Sequence, residues 1–597
     1  MQNLRNTLWM LVMAIPLSSS SRAAEYSEFA ENGDANIEDH SGSDYNLVQN
    51  EITGEGEYAF HLATGSGHWF AWLQDITPRP GMRLFFLSRL GIATGSQVAK
   101  VQVSQDGGRT WPDTVLEQAG RDGAGEGIFF LRDIDLASYV GETIRVRFLF
   151  DNSGAAFPDT TQDFGWYVDS IQVGYDFEKS LFDFGDPSDS EQHYIELINL
   201  ARKDALAEAH RLRSSEDPDV LVDLQWFGID PDDIMTQYEW GIENGVIAAQ
   251  AQPVAPNKKL MRMADLHSTD MMRGQHQNHR ASSHAVYPNQ PGDGIGQRRR
   301  RVGYAVLGRV AENIYAYSYS TLYGHQGFAI DFGEYNVRND PLFNPDFVGQ
   351  SMQNPAEHRF LIHGGEFKEV GVGVIDNVTN GVGPQVVTQD FGSGLGITYV
   401  TGVVMEDLNG NQFFDPGEGR GGVEVSIIES PYRAVTTQSG AYALPVPGNG
   451  RYCVTFRGDG YATVSQHVMV TNEENVKADY LVAPGKGYDQ WAQENQITGG
   501  PSEDSNRNGQ SNLLDYALLA GERPRIEWDE QGPYRFEVFK NPNATRVRYA
   551  VEMSPDMRVW QTRGYRVIED SATMLIVELA ALASMPYVRL AVSGVSD

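Results

Sequence analysis

The sequence predicts a multidomain α+β protein in which β-sandwich segments flank a helical domain. Its 597 residues are several times an ordinary domain, which sets an expectation of about three to five. Period-two apolar alternation fills the early and late parts of the chain, while helical spacing and clustered histidines occupy the part between.

At the N-terminus a short basic stretch with Arg5 precedes the apolar run TLWMLVMAIPL and the small residues Ser21 and Ala23. Residues 1–23 read as a secretory leader, because the run falls short of the ~20 apolar residues that span a bilayer. No later segment is apolar enough to cross, so the expected location is secreted, extracellular or at the cell surface. The net charge of −34 becomes two units more negative once Arg5 and Arg22 are removed. Such a surface repels nucleic acid and anionic headgroups and attracts divalent cations. Cys453 is the only cysteine, which excludes an intrachain disulfide. With 62 Gly, 27 Pro and 11% aromatics, the composition favours turns and sandwich cores.

Residues 51–175 read as short strands after a polar lead-in. AKVQV alternates through Val101 and Val103, and TIRVRFLF through Ile144, Val146, Phe148 and Phe150. The order QDGGRTW, DLASYVGETIRVRFLF, GWYVDSIQV resembles jelly-roll or MAM-like modules, which bind carbohydrate or protein or act as spacers. Asp169 reads as a strand-end cap, with structural calcium as the alternative. Helical patterning begins at Ser188, where SDSE forms a capping box with Glu191 and Tyr194, Leu197, Ile198 and Ala201 follow. Residues 212–253 read as an acidic, irregular insertion. From Asn257 a second helix places Leu260, Met263, Ala264, His267 and Met271 on one face.

Strands return over 399–483 (TGVVMED, GVEVSII, SGAYALPVP, RYCVTF). A loop-bearing spacer covers 500–520. A last β segment, 524–597, alternates through Val547, Tyr549, Val551 and Met553.

Seven of the 13 histidines lie between His267 and His363, and such crowding points to metal or acid–base chemistry. INLARKD, PNKKLMRMADLHSTDM, NH at 278–279, RVGY, AENI, NPAEHRFLI, EVGVGV and VTQDFG stand in the order of the CAP (SCP, PR-1-like) family, which this segment, 188–395, resembles. The resemblance implies an α-β-α sandwich whose cleft holds His279, Glu312 and His358. Two imidazoles hold Zn²⁺ at about 2.0–2.1 Å, while a carboxylate orients a ring or takes a proton. The family's tryptophan before the HR motif is replaced around Ser351, and Glu334 and Glu357 are candidates for a second cleft carboxylate. His267 reads as a packed core residue, His276 and His284 as loop residues, and RRRR at 298–301 as a solvated helix face paired with carboxylates. HExxH, GxSxG and phosphate-loop motifs are absent, and Ser282 or Ser283 beside His284 is adjacency without triad geometry.

Two loops carry oxygen ligands. Asp407, Asn409, Asn411, Phe413 (through its carbonyl), Asp415 and Glu418 have the 1, 3, 5, 7, 9, 12 spacing of a calcium loop. With the strands after it, this loop resembles Cna-B or SdrD-B-like modules, in which calcium stiffens the fold. Asp504, Asn506, Asn508, Gln510, Asn512 and Asp515 repeat the spacing and resemble a dockerin-like loop. Its neutral Asn ligands imply weak affinity, about 10⁻⁴–10⁻³ M. The expected function is binding of a lipid-like or peptide-like ligand in the CAP cleft, displayed by calcium-stiffened modules. Zinc-assisted hydrolysis through the same three residues, and glycan or surface adhesion with a passive CAP scaffold, are the alternatives.

Overall fold

Alternation along the early strands gives each a buried and an exposed face, and the apolar faces of two sheets close on each other. The computed structural model describes residues 10–14 and 24–594, apart from 43–44, 64–66, 121–124, 152–163, 175–176, 178, 334, 377, 379–380, 529–533, 563–564 and 580–584. In the first module a five-stranded sheet runs in the order Ile37–Asp39, His68–Ile76, Ile144–Asp151, Val98–Ser104, Asp113–Ala119. It faces a six-stranded sheet centred on Arg83–Leu90 and Trp166–Gly174. Phe70, Phe86, Phe148 and Trp166 meet between the two, fully buried. The sandwich starts before Glu51, since Tyr26–Glu28, Ile37–Asp39 and Val48–Gln49 all join it. The polar lead-in is therefore part of the module, and these strands are too short for their alternation to show. Asp169 lies inside the strand Trp166–Gly174 rather than at its end, and its carboxylate accepts the Gly54 and Glu55 amides at 2.8 and 2.9 Å.

Among the described residues the central domain is built from eight α-helices and one mixed sheet. Helix α1 (Asp189–Lys203) opens on the capping box, with Ser188 and Glu191 each bonding the other's backbone. Helices α2 (Ala205–Arg213), α3 (Pro218–Phe227) and α4 (Pro231–Glu243) follow. The segment 212–253 is thus helical rather than irregular. Asp217 caps α3 and Asp230 caps α4, each followed by proline at the first helical position, and the repeated Asp-Pro was the signal for both starts. Helix α5 (Lys258–Gly274), capped by Asn257, buries the predicted face including His267. Then come α6 (Ile295–Arg301), α7 (Thr321–Ile330) and α8 (Glu357–Ile362).

The sheet order is Ala255–Pro256, Glu369–Ile375, Gln385–Gly392, Val310–Ser318, which leaves the last strand on an edge. Helix α5 lies directly on EVGVGVI. A Cβ on Gly371 would sit 2.0 Å from the Leu260 carbonyl carbon, and one on Gly373 would sit 2.3 Å from the Asp265 nitrogen. The two glycines are what let helix and sheet touch backbone to backbone.

Beyond the central domain, Thr398–Met405 pairs with Ala441–Val446 and Val476–Lys477 in one sheet. The facing sheet runs Ser180–Leu181, Tyr432–Val435, Glu424–Ile427, Gly450–Arg457, Val464–Val470. The terminal module has the sheet Arg525–Trp528, Tyr534–Phe539, Met574–Leu579, Tyr565–Asp570 and the pair Val547–Ser554 with Tyr587–Gly594. Within the expected leader, Met10–Ala14 runs parallel to residues 588–592; the rest of 1–23 lies outside the described residues.

The modules are joined by polar clamps. Glu369 of the central sheet accepts from Tyr304 Oη and Tyr399 Oη, both at 2.6 Å, and from Asn257 at 3.0 Å. Lys179 caps the carbonyls of Ile427, Ile428 and Ser430, holding the end of the first module to the turn after Glu424–Ile427 in the later one. Among the described residues no helix is long and apolar enough to cross a membrane.

Candidate functional site

The edge strand Val310–Ser318 organises both predicted histidines. Successive strand residues point to opposite faces, and Glu312 points towards α5 and α6. There its carboxylate accepts from His279 Nδ1 at 2.9 Å and pairs with Arg298 Nη2 at 2.6 Å, and His267 Nε2 lies 3.8 Å away. Asn313 points to the other face and donates to the His358 carbonyl at 3.3 Å. His358 Nδ1 in turn bonds Asp331 Oδ1 at 2.7 Å. Of the three residues expected in one cleft, His279 and Glu312 thus bond each other on one side of the strand, while His358 on the other side bonds a fourth residue, Asp331.

Arg298 corrects the expectation for RRRR. Its side chain is fully buried and also reaches the His279 carbonyl at 3.2 Å, while only its neighbours behave as surface arginines, Arg301 pairing with Asp293. The signal was its place between Ile295 and Val302, three before and four after, which pack in one apolar cluster. A guanidinium on that face is carried into the core.

Burial by itself would raise the Glu312 carboxyl, but His267, Arg298 and His279 outweigh it and hold Glu312 well below the usual carboxylate range. Asp390 stands opposite Glu312 in the strand register, and there burial and the Glu312 charge push its carboxyl well above its ordinary range. His267 is fully buried and its ring is pushed down to about 4, chiefly by burial. His279 has a 60% exposed side chain and forms the open end of this otherwise buried network.

At the second pair burial works against the charge of His358, yet the Asp331 carboxylate outweighs it and raises the imidazole above its ordinary value. Asp331 is the carboxylate that sequence reasoning missed. It stands at the C-terminal cap of α7 with φ +68°, a local detail without a motif. Glu357 is exposed on the first turn of α8, and Glu334 lies outside the described residues. His358 and Asp331 line a cleft of about 190 Å³ whose other walls include Phe227, Ile314, Tyr315 and Phe332. Phe227 comes from α3, where its ring stacks on Phe332 with centroids 5.8 Å apart. Asp223 of the same helix accepts from Tyr323 Oη, and Leu221, Val222 and Trp226 beside it are 48, 62 and 81% exposed. His276 bonds the Gly274 carbonyl, and Ser282 is held by Asp270.

Carboxylate-bound Nδ1 atoms are how metal-binding histidines are oriented. Among the described residues, however, no three His, Cys, Asp or Glu side chains gather around a point where a metal ion would sit.

The two Asx-rich loops share one internal pattern. Asp407 accepts the amides of Gly410, Asn411 and Gln412, and Asp504 those of Asn508 and Gly509. The amides of Asn409 and Asn411 donate to Asp415 at 2.7 Å, and those of Asn506 and Asn508 donate to Asp515. Glu418 accepts from Leu408 and Asp415. Asn512 is buried against Gly500 and Ser505, and the Gln510 side chain bonds the Gly521 carbonyl. Phe413 touches the ring of His193 on α1, centroids 6.0 Å apart.

Residues 195–391, about a third of the chain, match the family model described as CAP, the cysteine-rich secretory protein family. No curated protein matches the chain. Among solved structures, the K3 cleaved adhesin domain of Lys-gingipain from Porphyromonas gingivalis W83 is similar at 16% identity, over 25% of this chain and 98% of that one, with TM-score 0.20. CBM35 from Paenibacillus barcinonensis is similar at 14% identity, over 25% and 99%, with TM-score 0.17.

Two outcomes follow from this geometry. Arg298→Ala leaves Glu312 buried without its guanidinium and lowers stability by about 3–5 kcal/mol, read as a drop in the melting temperature of the central domain; adding Glu312→Leu restores most of it. By NMR titration His358 stays protonated above the ordinary histidine value of 6.5, and Asp331→Asn takes it below. Because the folded-state value is the raised one, the stability His358 contributes is present in full below about pH 6.5 and fades as pH rises through the folded value.

Proposed function

We propose that the central domain binds a lipid-like amphiphile, with the apolar part on Phe227, Ile314, Tyr315 and Phe332 and an acidic or hydroxyl head beside His358. The observation that carries this is the cleft itself: aromatic walls ending at a histidine whose carboxylate partner favours its cationic form. Exposed Leu221, Val222 and Trp226 extend the apolar surface outward from the Phe227 rim. The segment 212–253 thereby supplies the specificity-bearing wall. Export fits the apolar leader TLWMLVMAIPL. The first sandwich as a jelly-roll or MAM-like module, and residues 399–483 as a Cna-B-like module, are supported by their two-sheet builds.

A second reading, hydrolysis, has the His358–Asp331 dyad in its favour, since a carboxylate-oriented imidazole can take a proton from water. Ester turnover that His358→Gln abolishes would move the assignment to this reading.

The Asp407–Glu418 and Asp504–Asp515 loops belong to the same proposal as calcium sites that stiffen the display modules. Their Asx turns already wrap the loop as a cation requires, and binding would turn the Asn amides so that oxygens replace nitrogens at the centre.

A fluorescent fatty-acid probe tests the first reading: it binds the purified chain, and Phe227→Ser weakens it roughly tenfold, as loss of about 1.5–3 kcal/mol of aromatic burial requires. Parental affinity in both Phe227→Ser and His358→Gln would end it. Calcium is tested by differential scanning calorimetry. Added Ca²⁺ raises the melting temperature, chelator reverses the rise, and Asp407→Ala removes part of it.

A further inference from the structure

A second concave surface lies far along the chain from the His358 cleft, where three modules meet. Its volume is about 600 Å³, inside the range of about 300–1,000 Å³ typical of small-ligand sites. The floor is the outer face of the sheet containing Tyr432–Val435, Glu424–Ile427 and Gly450–Arg457. Inward residues Val425, Ile427, Ala434 and Val454 are buried in the core, so the alternate residues point into the groove. Register sets Arg433, Ser426 and Thr455 in one cross-strand row and Glu424 and Arg457 in the next. Leu131 and Phe177 of the first module form one wall, and Arg548, Arg566 and Glu569 of the terminal module form the other.

The charge here runs against the rest of the molecule. Five cationic side chains, Lys179, Arg433, Arg457, Arg548 and Arg566, line the groove against the three acidic ones Glu424, Glu569 and Asp570, in a chain of net charge −34. Arg433 stands 3.7 Å from Glu424, and Arg457 stands 3.9 Å from Glu424 and bonds Asp570 at 3.3 Å, each with more than a third of its side chain exposed. Arg566 is 68% exposed, 3.4 Å from Glu578. Guanidinium groups in such positions are forks for planar or tetrahedral oxyanions.

We propose that this groove binds a short acidic oligosaccharide, its carboxylates or sulfates held by Arg433, Arg457, Arg548 and Arg566 and its hydroxyls by Glu424, Glu569 and Ser426. The mixture of groups makes the choice. Carboxylates on the floor repel a ligand that is only anionic and accept from one that also carries hydroxyls. A nucleic acid needs exposed aromatic faces for its bases; the lining has only Phe177, which is 8% exposed. The acidic surface around the groove also turns away long polyanions, which favours an oligosaccharide of a few rings over a polymer.

Calorimetric titration of the full-length chain tests this with a trigalacturonate, a sulfated galactan trisaccharide, neutral galactotriose, hexaglutamate and a single-stranded hexanucleotide. Binding of either acidic saccharide, at least tenfold weaker in Arg433→Gln and in Arg548→Gln and unchanged in Phe227→Ser, supports the site. The stronger of the two identifies carboxylate or sulfate as the group held. Because both arginines are at the surface, the melting temperature of each variant must match the parent; if one does not, Arg566→Gln takes its place. The proposal is overturned if neither acidic saccharide binds, if galactotriose binds equally well, if hexaglutamate or the hexanucleotide binds more tightly, or if the arginine variants keep parental affinity.

Discussion

The central domain depends on one buried ion pair. Arg298 and Glu312 lie 2.6 Å apart with almost no solvent contact, and neither charge is tolerable there without the other. The pair fixes α6 against the edge strand and gives His279 a carboxylate to bond. Its carboxylate also adds to burial in raising the carboxyl of Asp390, directly across the register.

What the sequence disclosed was what is local. The Ser188–Glu191 box, the helix start at Asn257, the apolar face of α5 and the alternation of residues 144–151 all follow from short-range rules and stand as read. The motif order placed His279 against Glu312 and put His358 in a cleft, although each imidazole took its own carboxylate. Asp331 escaped because its partner lies 27 residues away and no spacing rule connects them. Arg298 was hidden by its like-charged neighbours, whose run suggested solvent while its own position on the helix pointed inward. The two helices of residues 212–253 were legible in Asp-Pro; acidic composition drew attention from their caps.

The insertion and the later modules bear on the same domain from different sides. Helix α3 brings Phe227 to the His358 cleft and ties itself down through Asp223 and Tyr323. The Asp407–Glu418 loop reaches α1, where Phe413 meets His193, and His193 bonds Thr321 at the start of α7. A cation in that loop would therefore stiffen more than its own sandwich, since α7 ends at Asp331.

The clamps at Glu369 and Lys179 have a mechanical consequence. Linkers between surface modules ordinarily serve as slack that uncoils under tension. Here two tyrosines and an asparagine converge on one carboxylate, and one ammonium gathers three carbonyls across the neighbouring joint. A pull on the far end of such a chain reaches the central sheet directly, because the joints have no spare length to give up first.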